Sequence, residues 1–156
     1  NIESIAHSYY IEKSSDNKNQ KRFEFIIEGR EREDSYKTLE RTFKCLSAKI
    51  ENIKDEVNKL YKEDKDTFEQ NSTNNVFTNI LEGESYTTGE LLKYALNTIK
   101  EVEHSSGGVG HPHDDSYTLN WVLEKNKKLE TNKAIVKACD KIIDIIKNKK
   151  VKKLKS

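Results

Sequence analysis

"EVEHSSGGVGHPHDDSYTLNWVLEKN", residues 101–126, is the stretch on which the fold turns. It holds three of the four histidines, the single proline and the single tryptophan. Its reading depends on what runs into it. Upstream, Leu92, Ala95, Ile99 and Val102 recur at helical spacing, and Leu91 and Leu96 widen the stripe. Thr87 and Glu90 form an S/T-x-x-E capping box, whose two side chains satisfy orphan backbone N–H groups, so the spacing predicts a helix starting at Thr88. Gly107 and Gly108 then end it by permitting positive φ. On this reading 101–115 is a helix C-terminus followed by a flexible loop. The remainder, "SYTLNWVLEKN" (116–126), is either a helical turn or an extended segment.

Toward the C-terminus, Ile135, Ala138, Cys139, Ile142, Ile143, Ile145 and Ile146 mark a helix with a face broad enough for the middle of a bundle. Six lysines follow Ile146. They suit the negative end of a helix dipole and a solvated tail. Alternatively Lys147, Lys149, Lys150, Lys152 and Lys153 contact phosphates, or the tail faces acidic lipid or protein. Toward the N-terminus, Tyr36, Leu39, Phe43, Leu46, Ile50, Ile53, Val57 and Leu60 step by three and four without a miss, with Asp34 or Ser35 as cap. Such a narrow seam lines a bundle interior or, facing a second chain, a coiled coil and hence a homodimer. Between these helices, 63–86 reads as a polar connection with a one- or two-turn helix at Val76, Phe77, Ile80 and Leu81.

The first thirty residues differ. "IAHSYYIEK" and "KRFEFIIEG" flank a polar linker, and Phe23, Phe25 and Ile27 alternate with charged neighbours, which predicts a β-hairpin. The fold expected is therefore mainly α: one domain, 1–156, with a hairpin over 1–30, a bundle of about four helices over 34–150 and a basic tail over 147–156. Leu46, Ile50, Ile53, Ile99, Ile142 and Ile146 are expected in one core.

A chain of 156 residues can bury roughly 70% of its unfolded surface in one core. With 28 Lys+Arg against 27 Asp+Glu, no global field recruits nucleic acid or a membrane, so electrostatic partners must be read from local patches. No apolar run is long enough for a spanning helix. The absence of methionine leads us to expect that Asn1 is not the native start. Cys45 and Cys139 have no metal-type spacing and read as two buried, inert thiols or as a bridge between the two long helices.

Three readings compete for "HSSGGVGHPHDD" (104–115). In one, glycines make a turn, Pro112 stiffens it, and His104, His111, His113, Asp114 and Asp115 are polar because loops face water. In another, His111 and His113, with His104 or an aspartate, hold zinc, although the spacing matches no zinc signature; neither metal nor cofactor is expected. The third is a resemblance. "LLKYALNTIKEVEHSSGGVGHPH" (91–113), followed by "LETNKAIVKACDKIIDIIKN" (129–148), resembles the C-terminal helical domain of abortive-infection proteins, a member of the HEPN superfamily. Gly110-His111 stands at that family's Gly-His step, and Ala134 to Ile146 resembles its packing helix. The likeness covers roughly 88–148, with the helix over 35–62 as an earlier bundle helix.

Active HEPN ribonucleases pair an arginine with a histidine a few residues away, the histidine moving a proton and the guanidinium stabilising charge on the transferring phosphate. Here the corresponding positions hold Glu103 and His104, and no arginine follows Arg41. Lys100 lacks the bidentate fork. The resemblance implies a bacterial defence or toxin-type domain, cytoplasmic, binding RNA or a cognate protein, catalytically degenerate, with His111 and His104 as candidate catalytic residues. Whether it is an enzyme stays open at this point. The competing reading is a non-enzymatic interaction domain with a protein partner, such as the ectodomain of a bacterial surface lipoprotein or a virulence factor that binds a host protein.

Overall fold

The computed structural model describes residues 5–13, 22–29, 34–63, 72–73, 76–84, 86–111, 115–124 and 129–148. The chain divides into two compact units, one containing everything up to Cys45 and the other running from Leu46 to Lys150. In the first, strands β1 (Ile5–Lys13) and β2 (Arg22–Gly29) form the expected antiparallel hairpin, in register from Lys13 opposite Arg22 to His7 opposite Glu28, with an irregularity between Ile5 and His7. Helix α1 (Ser35–Glu63) starts in this unit, and its cap is Asp34, whose Oδ1 accepts the Tyr36 N–H at 3.0 Å.

The second unit takes α1 from Leu46 onward and adds β3 (Ser72–Thr73), β4 (Val76–Glu82), α2 (Tyr86–Leu96), β5 (Val102–Gly108), β6 (Ser116–Leu123) and α3 (Thr131–Asn148). Its strands form an antiparallel sheet in the order β3-β4-β6-β5. The four-helix bundle expected for 34–150 does not form. The architecture is mixed α/β, with three helices and this sheet among the described residues.

The overturned expectation traces to three segments. Helix α2 stops at Leu96, well short of the double glycine, because the chain there can satisfy its terminal carbonyls another way. The Thr98 hydroxyl donates to the Ala95 carbonyl at 2.6 Å, and the Ser105 hydroxyl donates to that of Lys93 at 2.7 Å. Asn97 Oδ1 accepts the Ser105 N–H at 2.7 Å, and Lys141 Nζ donates to the Thr98 carbonyl at 2.5 Å. Ile99 and Val102 are buried, as their helical spacing suggested, but from a turn and a strand. Second, 116–123 is a strand whose Tyr117, Leu119, Trp121 and Leu123 are buried while Thr118, Asn120 and Val122 are not, a strict period of two. Third, Val76, Phe77, Ile80 and Leu81 belong to a strand, not a short helix.

Register sorts the sheet into two faces. Rows Phe77–Trp121–Ser105 and Leu81–Tyr117 face the helices, and rows Val76–Val122–His104 and Thr78–Asn120–Ser106 face the other way. The bulge at Glu103 restores alternation after Val102. Phe77 stacks on Trp121 with centroids 4.2 Å apart, and the buried indole N–H donates to Asn79 Oδ1 at 2.9 Å. From the helices, Ile50, Ile53, Val57, Leu92, Leu96 and Ile135 complete the core together with Ala138, Cys139, Ile142 and Ile143. Of the six residues expected in it, Leu46 and Ile146 are only partly buried against it. Ile145, placed on the apolar face by its spacing, is exposed. Helix α1 runs beside α3, with Lys54 bonded to Asp140 at 2.6 Å.

Both cysteines are free thiols. Cys139 is buried as expected, whereas Cys45 is exposed and no bridge joins them.

Candidate functional site

His104 lies within β5 and His111 three residues past its end. His104 lies on β5 opposite Val122, exposed on the face away from the helices. His111 follows the strand, and the four residue steps from His104 to Gly108 span roughly 13 Å of extended chain. His111 is exposed beyond it. His113, Pro112 and Asp114 lie outside the described residues, among which no group of three or more His, Cys, Asp or Glu is placed to hold a metal ion. Lys147 is exposed in the last turn of α3, with Nζ 3.8 Å from Glu51. Lys149, Lys150, Lys152 and Lys153 lie outside the described residues. No helix among the described residues is long and apolar enough to cross a membrane.

The shifted titratable groups serve packing. The Tyr117 hydroxyl donates to Glu90 Oε1 at 2.8 Å, and burial together with that carboxylate raises the phenol above its ordinary range. Lys93 first, and the Tyr117 hydroxyl second, hold the Glu90 carboxyl below its usual value. Lys54 is raised by its hydrogen bond to Asp140. Burial, helped by Asp140, pushes the Cys139 thiol up to about 12, so it is a protonated core residue and not a nucleophile.

A concave surface lies elsewhere, beside β4. A cavity of about 420 Å³ opens there between α1, which contributes Ile53, Glu56, Val57 and Leu60, and β4. The β4 wall is made by Asn79, Ile80, Leu81 and Glu82, with Glu84 just beyond and Ile135 of α3 at the base. Leu60 and Ile80 are large apolar side chains left 50% and 64% exposed, so its mouth is greasy. Its rim is acidic. Lys49 Nζ lies 2.9 Å from Glu84 Oε2, an ion pair that lacks hydrogen-bond alignment. Glu56 and Glu82 are exposed and have no ion-pair partner among the described residues.

Four consecutive residues of one strand line this cavity. Successive strand side chains point to opposite faces, so a cavity over one face would be lined by alternate residues. This one therefore runs along the edge of β4. Among the described residues β3 pairs only with Val76 and Phe77, leaving Thr78–Glu82 without a strand partner on that side.

Sequence reasoning missed this site. Leu60 reads from its spacing as the last member of the α1 seam, and the Ile80–Leu81 pair as part of a short helix. The usable signal was a stripe whose last member outruns the layer it packs on. No protein family and no curated protein matches the chain.

Proposed function

We propose that this chain is a non-enzymatic protein-interaction domain whose binding surface is the groove between α1 and the edge of β4. The single observation that carries the reading is an apolar cavity, with Leu60 and Ile80 half-exposed at its mouth, running along an edge that no described strand occupies. An exposed apolar patch at the mouth of a cavity marks a surface that binds protein. The four-helix bundle expected alongside the HEPN resemblance does not form.

Selection of a random peptide library on the immobilised chain, with the Leu60→Lys variant as counter-selection, tests the proposal. Enrichment of peptides that bind the natural chain and lose at least tenfold affinity on Leu60→Lys is expected. Failure to enrich groove-dependent peptides overturns it, and low-salt RNA binding in their place hands the function to the nucleic-acid reading.

A further inference from the structure

The cavity beside β4 changes character from floor to rim. Ile53 and Val57 of α1, Leu81 of β4 and Ile135 of α3 make an aliphatic floor, each of them at least nine-tenths buried. Leu60 and Ile80 carry the apolar surface out to the mouth, where half or more of each is exposed. A space of about 420 Å³ takes several waters, and aliphatic side chains give them nothing to bond. An apolar group that enters therefore displaces poorly held water, and a large aliphatic or aromatic side chain is the group a partner protein has for it.

The polar groups of the lining are one-sided. Ionised carboxylates only accept hydrogen bonds, and Glu56, Glu82 and Glu84 supply three of them. Asn79 is the one other polar side chain named in the wall. The Trp121 indole only donates, so the Asn79 atom it meets at 2.9 Å is the carbonyl oxygen, and the amide NH2 is the single donor group among these side chains. An occupant must therefore bring donors. Glu84 is ion-paired by Lys49, whereas Glu56 and Glu82 are exposed and have no partner among the described residues. Three carboxylates against one ammonium leave the rim negative although the whole chain is formally +1. That field favours Lys or Arg on the occupant and disfavours Asp or Glu. Their stems lie along apolar surface such as Leu60 and Ile80 while the charged head stays in water beside a carboxylate.

We infer that the groove recognises a partner protein by one bulky apolar side chain seated on the floor made by Ile53, Val57, Leu81 and Ile135, and by a neighbouring Lys or Arg whose head meets Glu56 and Glu82 at the rim. This inference rests on the protein-interaction reading and adds to it the partner's anchor and charge, with no main-chain pairing required.

An end-blocked heptapeptide, Gly-Gly-Lys-Phe-Lys-Gly-Gly, is the probe, titrated into the full chain with methyl NMR as the readout. Saturable shifts are expected at the methyls of Val57, Leu60, Ile80 and Ile135. Replacing the peptide's phenylalanine by alanine should weaken binding at least tenfold, and so should replacing both lysines by glutamate. Glu56→Gln with Glu82→Gln should cost about fivefold at low salt, the size of exposed charge pairs, and the loss should shrink as salt rises. Glu56→Lys with Glu82→Lys should reverse the preference and take Gly-Gly-Glu-Phe-Glu-Gly-Gly over the lysine peptide, a gain that misfolding cannot imitate. Absence of saturable shifts at those methyls overturns the inference, as does binding indifferent to the phenylalanine or to the charge swap. If the library selection yields groove-dependent peptides that are acidic, or that lack an apolar residue beside a basic one, the inference fails while the protein-interaction reading stands. If it yields none, both fall.

Discussion

Strand β6 is walled differently on its two sides. Toward β5, Tyr117 sits between two glycines: a Cβ on Gly89 of α2 would lie 2.3 Å from its ring, and one on Gly107 of β5 would lie 2.7 Å from the ring and 2.6 Å from the Thr118 carbonyl. Glycine is required at both positions for space, because helix and strand approach as closely as an aromatic ring allows. Toward β4 the same layer of helices stands off, Leu60 reaches past the sheet half-exposed, and a cavity remains. One strand thus has a side where function would have no room and a side where a partner does. Tight packing and an available surface are alternatives set by side-chain size at a few positions.

Four changes break or sharpen that contrast. The largest effect is expected from Trp121→Ala, since the ring is fully buried, stacks on Phe77 and belongs to both sides; about 3–5 kcal/mol should be lost in urea denaturation. Next is Gly89→Ala, where overpacking against Tyr117 should cost about 1–3 kcal/mol. Combined with Tyr117→Ala it should cost less than the sum of the two changes, because the ring that clashes is gone. If Gly89→Ala is as mild as a surface change, the closed side is not closed.

The third is alkaline. Cys139 in the fold titrates at about 12 against an ordinary 9.0, so between those values the folded chain holds a proton that the unfolded chain has released. Stability is complete below 9.0 and falls as pH rises, by on the order of 1 kcal/mol at pH 10. Tyr117, also raised, steepens the fall at higher pH. Cys139→Ala should flatten the slope between pH 8 and 10 in thermal melts; an unchanged slope would disprove the thiol's part. The smallest is Leu60→Ala, half-exposed over the groove, whose effect on stability should stay within about 0.5 kcal/mol while peptide affinity drops.

The parts of this fold that were legible were those whose pattern repeats long enough to exclude alternatives. The α1 stripe, the α3 face and the alternation at Phe23, Phe25 and Ile27 each carry one period over several residues. Strand β6 stays undecided between a helical turn and an extended segment in the sequence reading, although Tyr117, Leu119, Trp121 and Leu123 alternate without a break. Strand β5 was not. "VEHSSGG" lacks the β-branched and aromatic residues that favour strands, and Val102 happens to fall three residues after Ile99, prolonging the stripe of α2 by coincidence. Gly107, half of the double glycine that suggests a helix stop, serves packing against Tyr117 instead, which no local pattern reveals. The groove was invisible for a related reason: a periodic stripe says which residues can be buried, and only the length of the neighbouring strand says where burial ends.

The two thiols also make the molecule its own clock. Cys45 is exposed in the first unit, so an alkylating reagent should reach it at the rate of a free thiol. Cys139 is buried in the second, and it can react only when that unit opens, so its slower labelling measures the opening equilibrium of the core without any added probe. A partner seated in the groove between β4 and α1 would slow this second clock while leaving the first running, and occupancy of the groove would be readable from a mass spectrum.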